Sequence, residues 1–151
     1  MHEARTPPAD FIWAKLVPEL LVADLAVSLR FWRDLLGFAV VYERADEGFA
    51  FLDREGAQFM LEERGKARRT WETGPLQVPL GRGINFEIRS VSLAPILAKL
   101  AEASWPLYLA PEEKCYCAGK VERGQRQFLV QDPDGYLLRF AEPLGARALE
   151  N

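Results

Sequence analysis

Few side chains in this sequence could act as metal ligands or nucleophiles. His2 is the only histidine, and Cys115 and Cys117 are the only cysteines. A structural zinc site needs four Cys or His ligands, which this set cannot supply, and the C-x-x-C spacing of redox motifs is absent. We therefore expect no histidine-ligated metal centre. Both cysteines are predicted to be reduced thiols, with a redox pair as the alternative.

Polar side chains recur at alternate positions of strand-like segments. Residues two apart in a strand share a face, and the apolar residues of these segments must face the core. The opposite, largely polar face carries Glu19, Gln58, Met60, Glu62, Asn85, Glu87 and Arg139. Carboxylates and amides on one surface suit a cationic ligand, and Arg139 could pair with a glutamate. The alternative is that this face only contacts solvent.

Trp71 is the candidate for an aromatic ligand contact. It lies in a long connection in the middle of the chain, beside Gly74 and Pro75, where its ring could stack on a planar molecule. The alternative is a loop plug or a dimer contact, since tryptophans often anchor interfaces.

Apolar spacing predicts two helices that would position these side chains. The first runs from its N-cap Asp24 to Gly37, and the second from its cap Ser92 to about Ala103. Their apolar faces are formed by Leu25, Leu29, Trp32 and Leu36, and by Leu93, Ile96, Leu97 and Leu100. Phe31 and Trp32 are assigned to packing rather than to ligand contact.

Strands are predicted before and after each helix. They span residues 15–22, 38–44, 49–53 and 57–62 in the first half, and residues 84–89, 107–110, 120–132 and 136–142 in the second. The strand at 120–132 could begin nearer Cys115. Ile84, Phe86 and Ile88 alternate with polar residues and are predicted to pack on the second helix.

The order of elements is βαβββ, repeated once, which predicts an α+β fold. Two tandem units would form a curved mixed sheet with the helices on the convex side and the polar face concave. We divide the chain into an N-terminal arm (1–12), one domain (13–143) and a C-terminal tail (144–151). Within the domain, half-units at about 13–64 and 82–143 are joined by a linker (65–81).

Composition argues against several partners. The chain has 151 residues and a net charge of −3, without a block of basic residues, so nucleic acid is not expected as a partner. No apolar run approaches the length of a membrane span, and the N-terminus lacks the apolar stretch of a signal peptide. We expect no membrane partner and a cytoplasmic location.

Two stretches of the sequence resemble a known superfamily. LVPELLVADLAVSLRFWRDLLGF (Leu16 to Phe38) and FLVQDPDGYLLRFAEP (Phe128 to Pro143) are similar to motifs of the vicinal oxygen chelate superfamily, which contains glyoxalases, extradiol dioxygenases and bleomycin-resistance proteins. With the doubled βαβββ order, the resemblance covers residues 15 to 143. These motifs are signatures of the fold rather than of a particular chemistry.

The resemblance also implies where a metal would be held. The ligand positions of the superfamily's enzymes fall on Val17, Met60, Gly83 and Arg139, and none of these side chains is a suitable ligand for a hard divalent ion. The chain is therefore closest to the metal-free, bleomycin-resistance-like branch, in which a homodimer sequesters a small molecule.

On this reading the protein is a metal-independent, antibiotic-type binding protein without a cofactor or a catalytic residue. Its concave groove would be lined by Glu19, Gln58, Met60, Glu62, Trp71, Asn85, Glu87 and Arg139 and would take a cationic or aromatic ligand. The alternative is a lyase, isomerase or other enzyme of the superfamily, with Glu19 or Glu87 as general base next to Arg139. A regulatory or interaction role is a third possibility.

Overall fold

A computed structural model describes residues 6–67 and 69–149. His2 and the first five residues of the predicted arm lie outside this range. The chain divides into two compact units, Met1–Leu80 and Gly81–Asn151, which we call unit 1 and unit 2.

The described part of unit 1 contains a main helix and a four-stranded mixed sheet. Its strands are β1 (Glu19–Val22), β2 (Ala39–Arg44), β3 (Phe49–Arg54) and β4 (Ala57–Glu63), and a short 3-10 helix (Ala45–Glu47) joins β2 to β3. Helix α1 (Leu25–Leu29) follows β1. The sheet order is β1-β4-β3-β2, with β1 parallel to β4 and the other pairs antiparallel.

Unit 2 repeats this arrangement. It contains β5 (Asn85–Arg89), α2 (Ala94–Glu102), β6 (Leu107–Ala118), β7 (Val121–Gln131) and β8 (Leu137–Ala148). The sheet order is β5-β8-β7-β6, again with one parallel pair, β5 with β8. The α+β class and the doubled βαβββ order predicted from the sequence are confirmed.

In each unit the last strand caps the helix. The Glu63 carboxylate at the end of β4 accepts a hydrogen bond from Leu25 N (3.0 Å), and Glu142 in β8 accepts one from Leu93 N (2.9 Å). Asp24 is the N-cap of α1, as predicted, and accepts from Val27 N (2.9 Å). The prediction for α2 was wrong by one residue, since its N-cap is Leu93.

The first helix departs from the single α-helix that we predicted. From Arg30 to Leu35 it is a π-helix, in which Leu36 N donates to Phe31 O (3.1 Å). Both Phe31 and Trp32 are buried in this wider turn. A search for 3.6-residue periodicity cannot detect the extra residue of a π-helical turn. The Trp32 ring packs 5.0 Å from that of Phe59 in β4, so the packing role assigned to these aromatics is confirmed.

Several strand ends also differ from the prediction. Ile84 is 54% exposed and precedes β5. It lies in a turn in which Gly81 and Gly83 adopt positive φ angles and Ile84 N donates to Gly81 O (3.0 Å). Strands β6 and β8 run on to Ala118 and Ala148. Most of the segment predicted as a tail from residue 144 is therefore strand. Both faces of these strand ends are exposed. Their sequence therefore does not alternate between apolar and polar residues, which is the signal used to predict strands.

Among the described residues, no helix combines the length and the hydropathy needed to cross a membrane.

Candidate ligand-binding face

The face of the unit 1 sheet opposite α1 carries a row of large side chains. Tyr42, Phe51, Met60 and Glu19 are register neighbours across all four strands. Alternation directs them away from Phe59, which packs on the helix side. A second row runs beside it and consists of Arg44, Phe49, Glu62 and Leu21.

The segment at residues 11–14 lies across this face. The Trp13 ring packs edge-on against Phe51 at 5.1 Å and Tyr42 at 6.3 Å, and Phe11 packs against Trp13 at 4.8 Å. Tyr42 is stacked on Phe51 at 5.4 Å. We call these side chains the aromatic cluster: Phe11, Trp13, Tyr42, Phe49 and Phe51. Because Trp13 is still 51% exposed, its outer surface is available for stacking.

Gln58 fastens that segment to the sheet. Its amide nitrogen donates to Ile12 O (2.8 Å) and to Asp53 Oδ1 (3.0 Å), and its amide oxygen accepts from Ala14 N (2.8 Å). The side chain thus pairs with the segment's backbone as a neighbouring strand would. We expected Gln58 to contact ligand directly; its polar atoms are instead committed to residues 12, 14 and 53.

Glu19 and Glu62 form a pair of interacting carboxyl groups next to the aromatic cluster. Glu62 is only 6% exposed, and burial raises its pKa above 4.5, with a further rise from the charge of Glu19 and a hydrogen bond to it. Two carboxylates this close resist simultaneous ionisation, so the pair holds a proton more readily than an isolated glutamate does. Among the predicted site residues, these two are brought together.

Arg44 balances part of this negative charge. Its guanidinium lies 3.8 Å from the centre of the Phe49 ring and pairs with Glu47 at 2.6 Å. Arg44 also acts against the rise in the pKa of Glu62. The aromatic cluster therefore has two kinds of charged neighbour. Glu19 and Glu62 lie next to it, and the Arg44 guanidinium lies over the Phe49 ring.

In unit 2, Glu87 and Arg139 are also brought together. Arg139 Nη2 lies 2.7 Å from Glu87 Oε2, and Arg89 Nε lies 3.7 Å from Glu87 Oε1. The charge pairing expected from the sequence is present. Arg139 Nε is buried and has no hydrogen-bond partner in the part of the chain described here. Asn85 is exposed at the start of β5.

Trp71 lies in the connection after β4 and is exposed. The Arg69 guanidinium is 4.1 Å from the centre of its ring, an attraction that the quadrupole of the ring supplies. Its indole therefore has a polar neighbour within the loop and is not a buried plug.

A surface pocket of about 430 Å³ lies in unit 2, where α2 leads into β6. It is lined by Trp105, Pro106, Leu107, Tyr108, Gln131 and Asp132. Trp105 Nε1 donates to Gln131 O (3.0 Å), and the Asp132 carboxylate accepts from the Asp134 and Tyr136 amides. These polar groups hold the turn before β8 in place.

The residues at the superfamily's metal positions do not fit a divalent ion. Met60 offers a thioether, Gly83 offers no side chain, and the Arg139 guanidinium is bound to Glu87. Within residues 6–67 and 69–149, no three His, Cys, Asp or Glu side chains are grouped to hold a metal.

The aromatic cluster was not predicted from the sequence. Phe49 and Phe51 alternate in β3, which could have marked them as partners of Tyr42 on one face. Phe11 and Trp13 precede every predicted element, so no periodicity could place them on the sheet.

No family model and no curated protein matches the chain, but solved structures do. The bleomycin resistance determinant encoded on transposon Tn5 is 20% identical, with 87% of this chain and 99% of that chain covered and a TM-score of 0.57. Lactoylglutathione lyase from Agrobacterium tumefaciens is 17% identical, with 90% and 95% covered and a TM-score of 0.56. The chain thus has the vicinal oxygen chelate fold.

A third solved structure is closer in sequence. It is a glyoxalase/bleomycin resistance protein/dioxygenase superfamily member from Vibrio splendidus 12B01, 39% identical, with 83% of this chain and 95% of that chain covered and a TM-score of 0.38. At the level of the fold, the chain is similar to solved structures of the glyoxalase/bleomycin resistance protein/dioxygenase superfamily.

Proposed function

We propose that this protein binds a small, planar, positively charged aromatic molecule on the aromatic cluster of unit 1, without a metal ion and without converting it. The observation that carries the proposal is the half-exposed Trp13 ring, backed by Phe51, in the same sheet face as the Glu19–Glu62 carboxyl pair. Aromatic rings and carboxylates both attract cations.

The spacing of the sheet sets the size of the ligand. Phe51 and Glu19 are separated by two strand-to-strand steps, with Met60 between them, which is about 10 Å at the usual spacing of adjacent strands. A tricyclic aromatic cation can stack on Trp13 at one end and reach Glu19 at the other. Met60 adds a flexible, polarisable contact beneath it.

The carboxyl pair supplies the selectivity for a cation. Burial and the charge of the neighbouring Glu19 raise the pKa of Glu62, because both disfavour its ionised form. A bound cation removes this repulsion and lets both groups ionise. We therefore expect affinity to fall as the pH decreases and the pair takes up its proton.

We further propose that Asn85, Glu87 and Arg139 form a ligand contact within unit 2, and that Trp71 forms one in the connection after β4; each contact is proposed by itself. The buried, unpartnered Nε of Arg139 supports this for unit 2, because an unpaired buried donor is costly unless something accepts its hydrogen bond. The exposed ring of Trp71 supports it for the connecting loop. A small-molecule role also agrees with the bleomycin resistance determinant found among the solved structures of this fold.

Calorimetry with bleomycin, with the tricyclic cation proflavine and with the neutral tricycle phenazine tests the proposal. Proflavine should bind more tightly than phenazine. Trp13→Ala and Glu19→Gln should each weaken proflavine binding by about 1 to 3 kcal/mol, the usual cost of losing an anchor.

Tyr108→Ala is the matched control, since it removes an exposed aromatic in unit 2 and should leave the affinity unchanged. Equal affinity in Trp13→Ala, Glu19→Gln and the unmodified protein would place the site elsewhere. Trp71→Ala and Glu87→Ala would then identify it, and they test the additional contacts in either case.

An enzymatic function is the second candidate, favoured by the raised pKa of Glu62. A carboxyl group whose pKa is raised is better suited to act as a general acid. In this second candidate Glu62 would be the proton-transfer group, whereas the sequence suggested Glu19 or Glu87 as general base next to Arg139. Recovery of a chemically altered ligand after incubation, lost in Glu62→Gln, would replace binding with catalysis; recovery of unchanged ligand supports the binding function.

A further inference from the structure

Cys115 and Cys117 lie on an exposed, three-stranded extension of the unit 2 sheet. We define the extension as residues 113–118 of β6, 121–126 of β7 and 142–148 of β8, which pair with one another across the three strands. Both cysteines are free and exposed. Because they are two residues apart in one strand, their thiols share a face. Tyr116, between them, points to the opposite face, where its hydroxyl donates to Gln127 Oε1 (3.2 Å).

The surface beside Cys115 is open. Its register neighbour in β7 is Gly124, whose neighbour in β8 is Gly145. A Cβ built on Gly124 would lie 3.7 Å from Cys115 Sγ, and one built on Gly145 would meet nothing within 4 Å. Beside the thiol, the register positions in both β7 and β8 therefore have no side chain, and Leu144 Cβ would lie 3.6 Å from a Cβ on Gly124. This leaves room for an additional atom next to the sulfur.

Glu122 and Arg147 lie on the same face of the extension as the two thiols. Glu122 is the register neighbour of Cys117 and hydrogen-bonds to Arg147 across the sheet. The pKa of Arg147 is raised by that hydrogen bond and, to a smaller extent, by its interaction with Cys115. Arg147 therefore lies within electrostatic reach of Cys115.

We propose that Cys115 and Cys117 form a two-thiolate site for a soft monovalent metal ion of the Cu(I) class. Thiolate sulfur selects soft ions, and two ligands on one face of a strand satisfy an ion that accepts two-coordination. The described part of the chain has no third His, Cys, Asp or Glu side chain grouped with them, so ions that require four ligands are excluded from this arrangement.

The binding step conserves charge and oxidation state. One Cu(I) replaces two thiol protons, which leave to solvent, and two Cu–S bonds form. The product is a bis-thiolate complex with one net negative charge. Arg147, which lies on the same face as the thiols, can stabilise that charge. This site is independent of ligand binding on the aromatic cluster, which does not use either cysteine.

Anaerobic titration of the reduced, full-length protein with Cu(I), in competition with a chromophoric Cu(I) chelator, tests the proposal. We expect one Cu(I) per chain and two protons released for each ion bound. Cys115→Ser and Cys117→Ser should each lower the affinity by about a hundredfold or more, the advantage that two linked ligands have over one. Both variants leave the Tyr116 hydrogen bond in place, and thermal denaturation checks that they fold.

The double variant Tyr116→Cys/Cys117→Ser is the matched control. It keeps two thiols in the chain but puts them on opposite faces of β6, so it should bind Cu(I) as weakly as Cys117→Ser. Affinity equal to that of the unmodified protein would show that thiol content rather than geometry determines binding, and it would overturn the proposal. One Cu(I) for every two chains would overturn it as well, because the ion would then bridge separate molecules.

Discussion

Replacing Gln58 with alanine should detach the segment at residues 11–14 from the sheet. Gln58 is 4% exposed and makes three hydrogen bonds, at 2.8, 2.8 and 3.0 Å. At about 1 kcal/mol for each hydrogen bond, Gln58→Ala should lower the free energy of unfolding by about 3 kcal/mol. Asp53 also loses the donor that the Gln58 amide supplies.

Amide hydrogen exchange tests the local part of this prediction. In the unmodified protein the Ala14 N–H is bonded to Gln58 Oε1, so its exchange should be slowed. In Gln58→Ala this protection should disappear under conditions where the buried amides of β3 and β4 remain protected. Binding of an aromatic cation should weaken in parallel, because Trp13 is carried by the same segment.

Gln127→Ala is the matched comparison. Gln127 is likewise 4% exposed, and it makes three side-chain hydrogen bonds, with Glu112, Tyr116 and Gln125. It lies in unit 2, so its loss should cost similar stability without exposing the Ala14 amide. Persistent protection of Ala14 in Gln58→Ala would refute the tethering role. Equal loss of protection in both variants would show that the effect is global.

The remaining predictions concern charges, capping and assembly. The contribution of Glu62 to stability is complete below about pH 4.5 and is lost as the pH rises through its raised pKa, so Glu62→Gln should abolish that loss in urea denaturation. The contribution of Glu63 to stability depends on pH in the opposite direction. Its pKa is lowered by the Leu25 amide and Lys66, so Glu63→Gln should remove stability that is present above pH 4.5 and is lost in acid; a parallel pH response in both variants would contradict these assignments. Asp24→Ala should cost about 1 kcal/mol through loss of the cap, whereas Asp24→Asn should not, as measured by thermal unfolding. We also predict a homodimer in sedimentation; a single 17.1 kDa species at tens of micromolar would contradict it.

The local order of elements could be predicted from the sequence because it depends on short-range patterns. The Asp24 cap, the alternating strands and the Asp132–Gly135 turn are encoded within a few residues. The internal repeat then determined the α+β architecture, since each βαβββ half must bury the apolar face of its own sheet against its own helix. The residue types at the positions where the resemblance implies metal ligands were also visible in the sequence.

Tertiary structure decided what the site contains. Nothing local indicates that Phe11 and Trp13 fold back onto β3, because that contact depends on a hydrogen bond between Gln58 and a backbone more than forty residues away. The interaction of Glu19 with Glu62 likewise arises from the parallel pairing of β1 with β4. Burial and proximity set the pKa of Glu62, and neither is a property of the sequence alone. Polar residues predicted from alternation were thus placed on the correct face, while the aromatic side chains that accompany them became evident only when the strands were paired.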